Sequence, residues 1–180
     1  MPPTDQLKEE HREILLMLKV LENVCARIQE KVNIDLNHLE GILEFFKIFV
    51  DECHHGKEEE LLFPALVPLE RRLINELLGE HSEGRGYVRA MSRGFFWMKK
   101  NQEEALAEYA ANAWKCITLL TCHIQKEDNV FFPLADMILG KKKQEELSQG
   151  FVDLERKRIG EETQGEFRRF LAHMEEVYLQ

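Results

Sequence analysis

Residues 54–64 read HHGKEEELLFP and residues 123–133 read HIQKEDNVFFP, each with a glutamate four residues after a histidine and a closing Phe-Pro. Residues four apart on a helix share a face, separated by about 6 Å along the axis. His54 and Glu58 therefore point the same way, as do His123 and Glu127. Two further histidines precede these pairs, His11 by 43 residues and His81 by 42. One unit, a histidine followed by H-x-x-x-E on the next helix, is thus written twice.

All six residues fall within otherwise apolar stripes. A buried carboxylate is costly unless it is paired or bound to a metal, and no Lys or Arg occupies the inward stripes to pair Glu58 or Glu127. The expected chemistry is metal ligation by His11, His54, Glu58, His81, His123 and Glu127. Imidazoles suit iron, copper, zinc or nickel, carboxylates suit harder ions, and no thiolate stands in the stripes. Four imidazoles and two carboxylates exceed the four ligands of a tetrahedral zinc, so a dinuclear iron site is the better match.

The elements that must position these donors are helical. Apolar residues recur every three or four positions over about 5–31, with Leu7, Leu15, Leu18, Leu21, Cys25 and Ile28 beside His11. A second helix is expected over about 36–65, its inner stripe Leu39, Ile42, Phe46, Val50, His54, Glu58 and Leu62. A third, roughly 70–99, turns Ile74, Leu77, His81, Val88, Met91, Phe95 and Met98 inward. Gly84, Gly86 and Gly94 weaken its propensity, so packing must hold it. A fourth, about 102–138, presents Leu106, Ala110, Ala113, Ile117, Leu120, His123, Glu127, Val130 and Leu134. No alternation of β-branched residues competes. The fold class is all-α: an up-and-down four-helix bundle made of a duplicated helical hairpin, with one or two extra C-terminal helices. Bundle cores are where facing helices build metal sites.

The expected division is a bundle at 1–140 and a helical extension at 141–180, with breaks near Gly160 and Gly165. The extension is amphipathic through Phe151, Leu154, Phe167, Phe170, Leu171 and Val177, as suits a bundle cap or a homodimer surface.

The resemblance carried by these motifs is to the hemerythrin-like family of HHE cation-binding domains. It rests on EEHREIL around His11, HHGKEEELLFP, GEHSEGR around His81 and HIQKEDNVFFP, spanning about residues 5–135. It implies a four-helix bundle around two iron ions, a non-haem diiron centre bridged by oxide or hydroxide. It further implies that His11 and His54 hold one iron, His81 and His123 the other, with Glu58 and Glu127 bridging. The implied function is to bind, sense or react with dioxygen, nitric oxide or peroxide. One departure stands out. Oxygen-carrying hemerythrins have a second histidine four residues after the third-helix histidine, and that position here is Arg85. Each iron then keeps an open position, which favours reactivity over simple carriage. His55 is either an additional ligand closing one gap or a surface or second-shell histidine, being about 100° round an α-helix from His54. Arg85 either hydrogen-bonds an anion at the opening or forms a salt bridge.

Whether the chain is an enzyme, with peroxidatic, catalase-like or nitric oxide-reactive activity, is open at this level. The alternative is an iron-dependent interaction module whose folding the metal controls. A ferritin-like oxidase needs E-x-x-H on two helices, and only Glu52 to His55 has that spacing. The net charge of −9 and pI near 5.3 argue against nucleic acid or an anionic membrane as partner. No apolar run approaches a membrane span, and the N-terminus lacks a secretory pattern. Cys25, Cys53, Cys116 and Cys122 form no C-x-x-C pair and fit free buried thiols. A cytoplasmic protein is expected. His38 and His173 read as solvated, Tyr87 and Tyr109 as packing, and Glu59, Glu60 and Asp128 as a solvated or second-shell acidic face. Lys141–Lys143 read as an exposed helix start. Phe63, Phe131 and Phe132 are expected to wall the site, and the Phe-Pro steps to end regular helix.

Overall fold

A computed structural model describes residues 2–98 and 102–180. Six helical rods account for nearly all of these residues, and no strand occurs among them. We label them α1 (Pro3–Gln29), α2 (residues 36–66), α3 (Arg71–Met98), α4 (residues 102–138), α5 (Lys141–Arg158) and α6 (Gly160–Tyr178). The expected end of the third helix at 99 lies outside the described residues. No helix among the described residues is long and apolar enough to cross a membrane.

The rods start and stop for local reasons. Proline at the first position of α1 lacks only an N–H that would be unpaired there. The Asp35 side chain accepts from the Asn37 N–H at 2.9 Å and caps α2. Gly160 adopts φ +74° between α5 and α6, a backbone that glycine takes without a Cβ clash. Gly165, expected as a second break, stays inside α6. Gly94 sits where α3 crosses α4. A Cβ there would come within 3.1 Å of the Ala105 carbonyl and the Tyr109 nitrogen, so glycine lets the backbones approach.

Two rods change winding near the site. In α2 the α-helix Leu36–Glu44 passes into π-helical turns at Phe45–His55 and Glu58–Leu62 before Phe63–Leu66. In α4, Gln102–Lys126 is followed by a π-helical turn at Glu127–Phe131 and then Phe132–Ile138. The Phe-Pro steps therefore do not end the rods. Two of the three wide turns, Glu58–Leu62 and Glu127–Phe131, come just before Pro64 and Pro133, where the ring removes an α-helical hydrogen bond, and α-winding resumes at Phe63 and Phe132. The wide turn also corrects one expected core position. After Glu127 it is Phe131, wholly buried, that faces inward, while Val130 is 53% exposed.

The interior is layered. One apolar cluster includes Ile14, Met17, Leu18, Val50, Met91, Leu120 and Ile124. A second contains Leu7, Leu62, Phe63, Ile74, Leu77, Phe131, Phe132, Leu147 and Phe151. In α1, α2, α3 and α4 the polar donors fall between residues of these two clusters. The extension belongs to the same interior: Phe151 packs in the second cluster and Phe167, Leu171 and Met174 in the first. The Phe170 ring fills the space that a Cβ on Gly41 would need.

Candidate metal centre

The six expected donors meet in one buried layer. His11, His81, Glu58 and Glu127 are 0% exposed, His54 1% and His123 2%. Their inward atoms converge. His11 Nε2 and His123 Nε2 each lie 3.2 Å from Glu127 Oε2. His54 Nε2 lies 3.6 Å from Glu58 Oε1, and His81 Nε2 lies 3.4 Å from Glu58 Oε2. Two groups of possible ligand atoms form, each within 4.8 Å of one another: His11, His54, Glu58 and Glu127, and His55, Glu58, His81 and His123. Glu58 belongs to both.

His55, whose role the sequence left open, is buried and lies in the second group. Its ring stacks on His81 at 3.8 Å between centroids. His54 and His55 both lie in π-helical winding, whose wider turn narrows the angle between neighbours, and both are buried in this layer.

Every inward histidine is oriented from behind by a carboxylate. Nδ1 donates to Asp128 in His11 (2.7 Å), to Glu10 in His54 (2.9 Å), to Glu59 in His81 (2.7 Å) and to Glu80 in His123 (2.8 Å). His55 Nδ1 reaches Asp51 at 3.4 Å. A carboxylate on Nδ1 fixes the proton there and turns the Nε2 lone pair inward, the usual arrangement behind metal-bound histidine. Of these carboxylates, sequence reasoning grouped Glu59 and Asp128 with an acidic face and missed Glu10, Asp51 and Glu80. Glu10, directly before His11, and Glu80, directly before His81, each serve the histidine on the neighbouring helix of their hairpin. Only the hairpin geometry could have revealed that.

The charge state follows from this packing. Burial alone would lower the affinity of His11 for a proton, but Asp128 and Glu127 outweigh it and raise the pKa to about 9. His123 likewise overcomes burial through Glu127 and Glu80 and rises to about 10. Burial and the neighbouring His81, His54 and His123 push His55 well below its usual value. Burial works against ionised Glu127, yet His123 and His11 hold its pKa below the usual carboxylate range.

The donor set fits a metal by a direct criterion. Both carboxylate oxygens of Glu58, both of Glu127 and Nε2 of His11 are buried without a hydrogen-bond partner. Such groups carry a desolvation cost that cation coordination would repay.

The surroundings are apolar on one side and charged on the other. Phe132 stacks on His11 at 5.3 Å and Phe63 on His81 at 5.7 Å, with Phe131 against Phe63, so the three phenylalanines wall the centre as expected. Arg85 forms salt bridges: Nε donates to Asp51 and Nη2 to Glu59, each at 2.6 Å. It thereby clamps the carboxylates behind His55 and His81. A cavity of about 110 Å³ opens beside Asp51, His55, Gly84 and Arg85. Lys57, which lies outside the inward stripes, is nevertheless buried: it is 0% exposed and pairs with Glu10 and Glu155. It does not reach Glu58 or Glu127, whose oxygens stay unpartnered. Outside the centre, His173 is exposed as expected, Tyr109 is fully buried, and Lys141–Lys143 are exposed at the start of α5. His38 is only half-exposed, its Nδ1 2.9 Å from the Tyr178 hydroxyl.

An antiparallel helical bundle with two histidine–carboxylate clusters sharing a glutamate defines a cation-binding protein. The chain matches the family described as Hemerythrin HHE cation binding domain over residues 3–135 and belongs to that family. A search of curated proteins found none that matches it.

Proposed function

We propose that this is a hemerythrin-like non-haem diiron protein that binds, senses or reacts with dioxygen, nitric oxide or peroxide. The observation that carries the reading is Glu58, whose two unpartnered buried oxygens face histidines of both clusters. In this reading His11 and His54 hold one ion, His81, His123 and His55 the other, and Glu58 and Glu127 span the pair. With His55 included, the His81–His123 side would offer its ion one more imidazole than the His11–His54 side offers. The ions, when bound, supply redox chemistry toward small oxygen- or nitrogen-containing ligands.

The chain's own residues do the rest. The Nδ1 carboxylates hold each imidazole in one tautomer and orientation. Phe63, Phe131 and Phe132 keep bulk water from the donors. Arg85 fixes Asp51 and Glu59 and so restrains His55 and His81; it serves as a clamp rather than as a free anion-binding group.

Metal analysis of purified protein tests the centre: about two irons per chain are expected, with ligand-to-metal bands of a bridged ferric pair. Fewer irons and no such bands would rule it out. Stopped-flow mixing of the reduced protein with dioxygen, nitric oxide and peroxide then separates the roles. A reversible dioxygen adduct indicates carriage or sensing, and turnover of peroxide or nitric oxide indicates an enzyme.

A further inference from the structure

The carboxylates behind the five histidines are not alike. Asp51, Glu59, Glu80 and Asp128 have side chains 35%, 26%, 21% and 31% exposed, whereas that of Glu10 is 6% exposed. Water therefore reaches four of the five. What faces Glu10 instead is Lys57, wholly buried, its Nζ 2.5 Å from Glu10 Oε1. The other oxygen, Oε2, accepts from His54 Nδ1. Glu10 is thus divided, one oxygen for the ammonium and one for the imidazole.

Lys57 is divided as well. Its Nζ donates to Glu155 Oε2 at 2.7 Å, and Glu155 lies on α5, in the extension beyond the family match at residues 3–135. Gln6 Nε2 bridges the two carboxylates, 3.4 Å from Glu10 and 3.3 Å from Glu155. One cation shared by two carboxylates leaves Glu10 more of its charge for His54 than an unshared pair would. With Glu155 neutral, Lys57 would draw on Glu10 alone, and the hydrogen bond from His54 would weaken. Lys57 and Glu10 are sealed from solvent and Glu155 is 19% exposed, so the effect is screened only at its outer end.

We propose that Glu155 is a positioning residue for the metal centre, acting through Lys57 and Glu10 on His54, so that the C-terminal extension tunes the ion held by His11 and His54. The proposal rests on the two-ion reading above and goes beyond it by giving residues 141–180 a role at one ion only. Groups behind metal-bound histidines commonly change metal affinity by about 10–100-fold, and Glu155 stands two contacts further out, beyond Glu10 and Lys57.

The test is cobalt(II) titration of the full-length metal-free chain, followed by its visible bands against a competing chelator, for wild type, Glu155→Gln and Arg158→Gln. Arg158 is the control: on the same helix, it ties α5 to Glu60 at 2.5 Å, but Glu60 orients no histidine. Expected is two-step uptake in wild type and Arg158→Gln, with about tenfold weaker binding of one ion only in Glu155→Gln. The second ion and the helical circular dichroism should be unchanged. Equal behaviour of the two variants, or equal weakening of both ions, would overturn the proposal. Should Glu155→Gln fail to fold, Glu155→Asp is titrated in its place and judged by the same criterion, weakening of one ion or not. Uptake of fewer than two ions by wild type overturns the two-ion reading itself, and is recognised before any variant is compared.

Discussion

His81 and His123, on adjacent helices and 42 residues apart in sequence, bring their Nε2 atoms to 3.0 Å. Two nitrogen lone pairs aimed at one point have little reason to meet in a core unless a cation or a proton lies between them. That relationship, repeated by the oxygens of Glu58 and Glu127, underlies the expectations for the centre.

Glu58→Gln should remove the carboxylate common to both clusters and abolish binding of both ions. His11→Gln should affect chiefly its own. Metal content per chain after reconstitution distinguishes the two patterns; equal losses would contradict a shared glutamate.

Metal removal should destabilise the fold. Ions present at 100 times their dissociation constant contribute about 2.7 kcal/mol each. In a chain of this size each kcal/mol moves the midpoint by about 2–4 °C. Chelation is therefore expected to lower Tm by on the order of 5–10 °C per ion, as read by calorimetry with and without chelator.

The wide turn at Glu127–Phe131 gives a sharp contrast between neighbours. Phe131→Ala should cost about 3–5 kcal/mol as a buried aromatic lost from the core. Val130→Lys should stay within about 0.5 kcal/mol, although regular α-helical spacing would place Val130 inside. Urea denaturation of both variants checks the register.

Gly94→Ala should destabilise by about 1–3 kcal/mol. A methyl there meets backbone of α4 at 3.1 Å, and backbone cannot swing aside as a flexible side chain would. A neutral or stabilising result, as helix propensity alone predicts, would show that α3 and α4 do not approach so closely.

The thiols should report burial. Cys25, Cys53 and Cys116 are buried and their pKa values are raised, first by desolvation, to about 12, while Cys122 is exposed. Alkylation of the native protein at pH 8 should modify Cys122 alone. Above pH 9 the unfolded chain loses its thiol protons while the native one retains them up to about 12. Their contribution to stability is therefore complete below pH 9 and lost as pH rises through that window. Cys25→Ala and Cys116→Ala should flatten this alkaline decline in denaturant midpoints.

The sequence by itself determined the bundle and which six residues share its buried polar layer. A 3.6-residue period and a penalty on buried carboxylates are local rules, and they act on His11, His54, Glu58, His81, His123 and Glu127 whatever lies around them. The duplicated hairpin followed from the repeat spacing, and the phenylalanine wall from its place beside the donors. What the tertiary structure decided depends on distances between rods. The inward turn of His55 and the exchange of Val130 for Phe131 come from π-helical winding, which the spacing of apolar residues does not announce. Glu10 and Glu80 became imidazole partners because a neighbouring helix placed a histidine within 2.8–2.9 Å of each, whereas Asp51 reaches His55 at 3.4 Å from one turn back on the same helix. Lys57, the first of four consecutive charged residues, would pass for a surface lysine. It is buried because α1 and α5 close over it with Glu10 and Glu155, and only helix packing could bring that pair together.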